Sequence, residues 1–162
     1  MTIRPEFSEF RPIELEDRDF FKDILWKYQP QTSEWTFTNL FIWRSHYQFQ
    51  WSMYQQWLLV FCTVSGNVFF ALLAVGFPSR PEGTRIFLQW LKDEKREKKS
   101  RIERAVQKLI SEIEDARNLM VEPTRDHFDY VYRSQDLIKL VGRKCHSKRN
   151  HINKLPRSSS FT

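Results

Sequence analysis

Two apolar runs dominate the hydrophobic pattern, Trp57-Leu58-Leu59-Val60-Phe61-Cys62-Thr63-Val64 and Val68-Phe69-Phe70-Ala71-Leu72-Leu73-Ala74-Val75. They lie inside an uncharged stretch from Trp57 to Phe77, whose length would also suit a bilayer-spanning helix. The interruption at Ser65-Gly66-Asn67 and the β-branched and aromatic residues on either side favour a buried β-hairpin turning at Gly66-Asn67. Upstream, Ile13 to Tyr28 reads as a helix with Phe20, Phe21, Ile24 and Leu25 as its apolar stripe, Glu16 or Asp17 as first-turn carboxylates, and Pro30 as its stop. A second short helix starts at Ser33 or Thr36, either of which can cap it, and buries Phe37, Leu40, Phe41 and Trp43. Tyr47 to Met53 then reads as a strand leading into the hairpin.

Beyond the hairpin, Gly76 to Gly83 is loop by its proline and glycine content, and Ile86 to Leu91 restarts helically. Lys92 to Arg104 is almost wholly charged and reads as a solvated helical face or exposed connection. Ile102, Ala105, Val106, Leu109, Ile110, Ile113 and Ala116 recur at helical spacing and define one core-facing stripe, closed by Glu122-Pro123. Phe128 to Tyr132 reads as extended. Ser134 to Val141 is a short helix capped by Ser134 and ended by Gly142.

Composition narrows the class. A chain of 162 residues has room for one ordinary domain core, and 15% aromatic content, with six Trp and fourteen Phe, is too rich for disorder. The fold class is accordingly α/β, with a central, mainly antiparallel sheet flanked by helices. Cys62 lies in an apolar run and Cys145 in a basic one, so they do not read as a disulfide framework. Residues 1–9 show no secretory pattern, and the expected address is cytoplasmic.

Charge changes the picture more. The twenty carboxylates all lie at or before Asp136, while six of the twenty-six Lys and Arg follow Gly142, so the whole formal excess of +6 sits in residues 142–162. Such a segment can hold phosphates, with Arg143 and Arg149 giving bidentate contacts and Lys144 and Lys148 point charges. The alternative is a solvated connector whose cations pair with carboxylates elsewhere. His146 and His151 are five apart, about 500 degrees around a helix, and neither they nor Cys145 has the spacing of a metal site. Asp129, between Phe128 and Tyr130, reads as a structural acceptor. Asn39, Arg44, His146, Asn150 and His151 read as polar support rather than chemistry. No residue can be assigned as catalytic.

The order of short motifs carries a resemblance. Leu15-Glu16-Asp17-Arg18, Phe37-Thr38-Asn39-Leu40-Phe41-Ile42-Trp43-Arg44, Phe77-Pro78, Arg125-Asp126-His127-Phe128-Asp129-Tyr130-Val131-Tyr132 and Leu140 to Lys154 together resemble the C-terminal-domain family of phosphatidylglycerol lysyltransferases. The last two are the specific ones. The resemblance implies a bacterial protein built from two tandem N-acetyltransferase-like α/β halves. It also implies transfer of an aminoacyl group from a charged tRNA to a lipid head group.

The match covers the first half only, which implies residues 1–141 as one acyltransferase-like half and 142–162 as a basic connector and tail. A truncated chain of that kind is expected to be inactive alone, lacking a second half or a partner that supplies it. The partners implied are aminoacyl-tRNA and anionic lipid head groups, the latter placing the protein peripherally at a membrane. In a different class, the chain is an autonomous module whose basic end binds tRNA or an anionic membrane surface. Two departures stand out from the family pattern. The charge run at Lys92 to Arg101 occupies the place of an expected strand, and Gly83 stands alone where a glycine-rich pyrophosphate loop would be. Coenzyme A, or any other cofactor, is therefore not expected.

Overall fold

A computed structural model describes residues 4–64, 68–72, 75–76, 80–113 and 118–158, and the chain divides into two compact units between His127 and Phe128, upstream of the boundary expected at Gly142. In the first unit five strands form one sheet: β1 (Arg11–Pro12), β2 (Gln50–Tyr54), β3 (Trp57–Val64), β4 (Val68–Leu72) and β5 (Ile102–Glu103), paired in that order. All pairings are antiparallel except β4 with β5, where Ala71 lies opposite Ile102 and Leu72 opposite Glu103. The sheet is thus mainly antiparallel and flanked by helices, the α/β class that the pattern of runs implies.

The central strand explains the long uncharged stretch. Leu58, Val60 and Cys62 of β3 enter a core with Phe21, Leu25, Leu40, Trp51 and Leu109, while Trp57, Leu59 and Phe61 enter a second core with Phe87, Trp90 and Leu91. A strand covered on both faces loses the alternation of a half-exposed strand and reads as a continuous apolar run. Among the described residues no helix is long and apolar enough to cross a membrane. The expected turn at Ser65-Gly66-Asn67 lies outside the described residues, but the hairpin register, Phe61 to Ala71 through Val64 to Val68, closes toward it.

Helices α1 (Arg18–Tyr28) and α2 (Phe37–Tyr47) cover one face of the sheet, and α3 (Pro81–Asp93) the other. Several boundaries differ from the expectation. Leu15–Asp17 is a 3-10 turn and α1 begins only at Arg18, because Arg11–Pro12 is already committed to the sheet. Left-handed Gln29, one residue before Pro30, ends α1. Thr36 is the cap of α2, its Oγ1 accepting the Asn39 N–H at 3.1 Å. Trp43, expected to be buried, is 49% exposed, whereas Leu40 on the same helix is buried.

Downstream, Gly83 is inside α3 and not in a loop, since Pro81 begins the helix, where its fixed φ and missing N–H are tolerated. A Cβ at Gly83 would come within 2.9 Å of the Trp57 ring, so only glycine lets α3 lie this close to β3. A two-residue strand, β5, follows directly after the charge run. Ile102 therefore belongs to the sheet, and the helix expected from it shortens to α4 (Gln107–Glu112); Ala116 and the Phe77-Pro78 motif lie outside the described residues.

The second unit, residues 128–162, contains α5 (Ser134–Lys139), a 3-10 turn at Arg143–Cys145 and α6 (His146–Ser158). The basic tail is thus helical through Ser158. Arg133, not Ser134, is the N-cap of α5, with no side-chain bond, and left-handed Leu140 ends the helix before Gly142. Phe128 to Tyr132 has no assigned secondary structure.

Candidate functional site

The start of α6 gathers the four cations singled out by the charge pattern, but they do not act alike. Arg149 is half-buried, and its guanidinium donates to the Leu140 carbonyl and, at 3.0 Å, to the Gly142 carbonyl. It closes the turn between α5 and α6 and satisfies a carbonyl at a helix C-terminus, where a cation is favoured. Gly142 itself has φ 91, a conformation that glycine accepts without strain, and the Cys145 N–H donates to its carbonyl at 3.2 Å. Cys145 is buried outside any disulfide, as is Cys62.

The other three cations are exposed. Lys144 approaches Asp136 Oδ2 at 3.4 Å across a solvated gap, a contact of little energetic weight. Lys148 lies 5.0 Å from the centre of the Tyr132 ring. Arg143 precedes them on the exposed turn. Arg143, Lys144 and Lys148 are thus exposed and have no strong internal partner among the described residues. His146 Nε2 lies 3.2 Å from Asn150 Nδ2, an i, i+4 pair within α6, and His151 is exposed. No group of three His, Cys, Asp or Glu side chains among the described residues has the arrangement to hold a metal ion.

The remaining residues marked as polar support lie apart from α6 in sequence and do different work. Asn39 Nδ2 donates to the Ser33 carbonyl at 3.1 Å, fastening the α1–α2 loop to the first turn of α2. Arg44 folds back on its own helix, donating to the Phe41 carbonyl at 2.5 Å and stacking 3.6 Å from the centre of its ring. Asp129 is an exposed residue of the second unit.

Of the buried charges of the first unit, Asp17 reads in the sequence as a first-turn carboxylate and Arg80 carries no such signal. Asp17 is buried and accepts from the Arg11 guanidinium, from the Glu14 N–H at 2.9 Å and from the Trp51 indole at 3.2 Å, so it joins β1, the 3-10 turn and β2. Arg80, 2% exposed, is held by Glu112: Nε at 2.8 Å from Oε2, Nη2 at 2.5 Å from Oε1, and the Arg80 N–H at 3.3 Å from Oε2. These bonds hold the Glu112 carboxyl below the usual carboxylate range, against a smaller opposing effect of burial. Burial raises the Tyr28 hydroxyl, opposed by the Arg80 charge, and raises the Cys62 thiol. The residue before α3 thus faces an internal carboxylate through both its N–H and its side chain.

One further feature escaped the sequence reading. A cleft of about 410 Å³ opens between α1 and the start of α2, with Arg18, Lys22 and Trp26 on its α1 wall. The signal was available as an i, i+4, i+8 column, hidden because the apolar stripe on the opposite face of α1 dominates the pattern.

Residues 27–162 match the family model described as phosphatidylglycerol lysyltransferase, C-terminal. A crystal structure of a conserved protein of unknown function from Bacteroides thetaiotaomicron is similar at a TM-score of 0.76 and 25% identity, over 90% of this chain and 49% of that one. The chain therefore spans about half the length of that relative. No curated protein matches.

Proposed function

The chain belongs to the phosphatidylglycerol lysyltransferase C-terminal family, and on that premise we propose that it is one N-acetyltransferase-like half of an acyl- or aminoacyl-transferring protein. In this reading Arg143, Lys144 and Lys148 hold the phosphates of an aminoacyl-tRNA or of an anionic lipid head group, in the cytoplasm near the membrane surface. The observation that carries it is the exposure of these three cations, on the Arg143–Cys145 turn and the start of α6, while Arg149 is spent on shaping that turn. The catalytic groups come from a complementary half, within a longer protein or from a partner. Two facts support that part. The solved relative is about twice as long, and the second unit leaves Phe128, Tyr130, Val131, Tyr132, Leu137 and Ile138 exposed, apolar surface of the kind another half would cover.

A second reading is an autonomous anion-binding module, favoured by α6 and its turn forming a complete local structure with their own hydrogen bonds. Two measurements separate the readings. In a salt titration of tRNA and anionic-vesicle binding, three phosphate contacts give a log–log slope of roughly −2 to −3. Replacing Arg143, Lys144 and Lys148 together with alanine should abolish most of that slope. An unchanged slope for both ligands would remove the cationic site from either reading. In an aminoacyl-tRNA transfer assay, the half-protein reading expects no turnover by residues 1–162 and turnover once a complementary half is co-expressed. Turnover by residues 1–162 alone would overturn it, and binding without any turnover in either setting leaves the module.

A further inference from the structure

The α1 wall of the cleft lies outside the region matched by the family model, since Arg18, Lys22 and Trp26 all precede residue 27. Its construction points to a ligand of its own. Residues four and eight apart on a helix share a face, so Arg18, Lys22 and Trp26 line one wall in a column of two cations and an indole. Trp26 is 76% exposed, an unusual position for so large an apolar ring on a helix whose Phe21 and Leu25 are fully committed to the core. The floor is apolar, formed by Leu25 and Trp35, both buried. The Thr32 hydroxyl oxygen is buried there without a hydrogen-bond partner among the described residues. Among the described residues no carboxylate lines the cleft.

Charge and shape therefore ask for opposite ends of one molecule: an aromatic body against Trp26 and the Leu25–Trp35 floor, and an anionic group against Arg18 and Lys22. Asp19 competes for Arg18, but it engages only Nε, at 3.0 Å, and both side chains are exposed, which keeps that pair weak and leaves the outer edge of the guanidinium for a ligand. A guanidinium fork beside an ammonium suits the several oxygens of a phosphate better than the two of a carboxylate. The volume is in the range of small-molecule sites.

We infer that this cleft binds a small aromatic phosphate monoester, its ring stacked on Trp26 and its phosphate held by Arg18 and Lys22. The site uses residues of the first unit alone and stands whether or not the transferase reading holds.

The test is a titration of residues 1–162 with phenyl phosphate, followed by the indole N–H resonance of Trp26, identified by its disappearance in Trp26→Phe. The expected result is a saturable shift of that resonance. Lys22→Ala and Arg18→Ala should each weaken it about tenfold, the loss of one charge-assisted contact. Both side chains are exposed, so these variants should melt with the wild type, and their melting curves separate lost binding from lost folding. Inorganic phosphate lacks the ring and benzyl alcohol lacks the charge; each should bind at least about tenfold more weakly. Equal binding of benzyl alcohol, or of phenyl phosphate to the Lys22 and Arg18 variants, would overturn the inference by showing a merely greasy surface. Benzoate binding as tightly as phenyl phosphate would overturn the assignment of a phosphate.

Discussion

The two units of this chain use similar apolar residues to opposite ends. In residues 1–127, Leu58, Leu59 and Val60 are wholly buried between two layers of helices, and the charges that are buried with them, Asp17 and Arg80, are answered by fixed partners. In residues 128–162, Tyr130 is 80% and Val131 92% exposed, and the only buried residue among those described is Cys145. The difference is one of context, since Val131 is as apolar as Val60. A segment buries its apolar side chains only where another layer returns over them, and the first unit has a five-stranded sheet to organise that return. The second has two helices and a turn, held by Arg149 and short-range bonds.

Three perturbations probe that contrast. The largest effect is expected from Glu112→Ala, which strands the buried Arg80 charge and should cost roughly 3 to 5 kcal/mol in urea unfolding. The pH dependence has a definite sign. Because the carboxyl of Glu112 is depressed in the folded protein, its contribution is fully present above the unfolded carboxylate range and is lost as pH falls through the folded value. The stability gap between wild type and Glu112→Gln should therefore narrow on acidification, and a gap independent of pH would show that the ion pair is not what secures α4. Gly83→Val comes next. It forces α3 off the Trp57 ring at an expected cost of about 2 kcal/mol, and a neutral outcome would mean that α3 packs on β3 less tightly than Gly83 implies. The smallest effect belongs to the second unit: Val131→Ser should change the stability of the isolated chain by less than about 0.5 kcal/mol. A loss above that would show Val131 to be buried in solution and would erase the contrast.

Much of this contrast was legible from residue order. The doubly buried strand, the Thr36 cap, the stop before Pro30 and the acid-free basic end depend on neighbours within a few positions, and such signals survive in a linear reading. The misreadings share the opposite property. Ile102 fits a helical stripe by spacing, but β4 claims it as a strand partner. Trp43 has the composition of a buried residue and sits on the outer side of α2. Gly83 reads as loop until β3 is seen beneath it.

Sequence by itself determined the α/β class, the family resemblance and the place of the positive charge, because hydrophobic period, motif order and charge count are properties of the chain read in order. Tertiary structure alone decided which charges are buried and which are exposed. Asp17 meets Trp51 across thirty-four residues and Arg80 meets Glu112 across thirty-two. The cleft of Arg18, Lys22 and Trp26 exists only because α2 returns beside α1. Such pairings depend on which segments pack together, and local propensity carries no record of that choice.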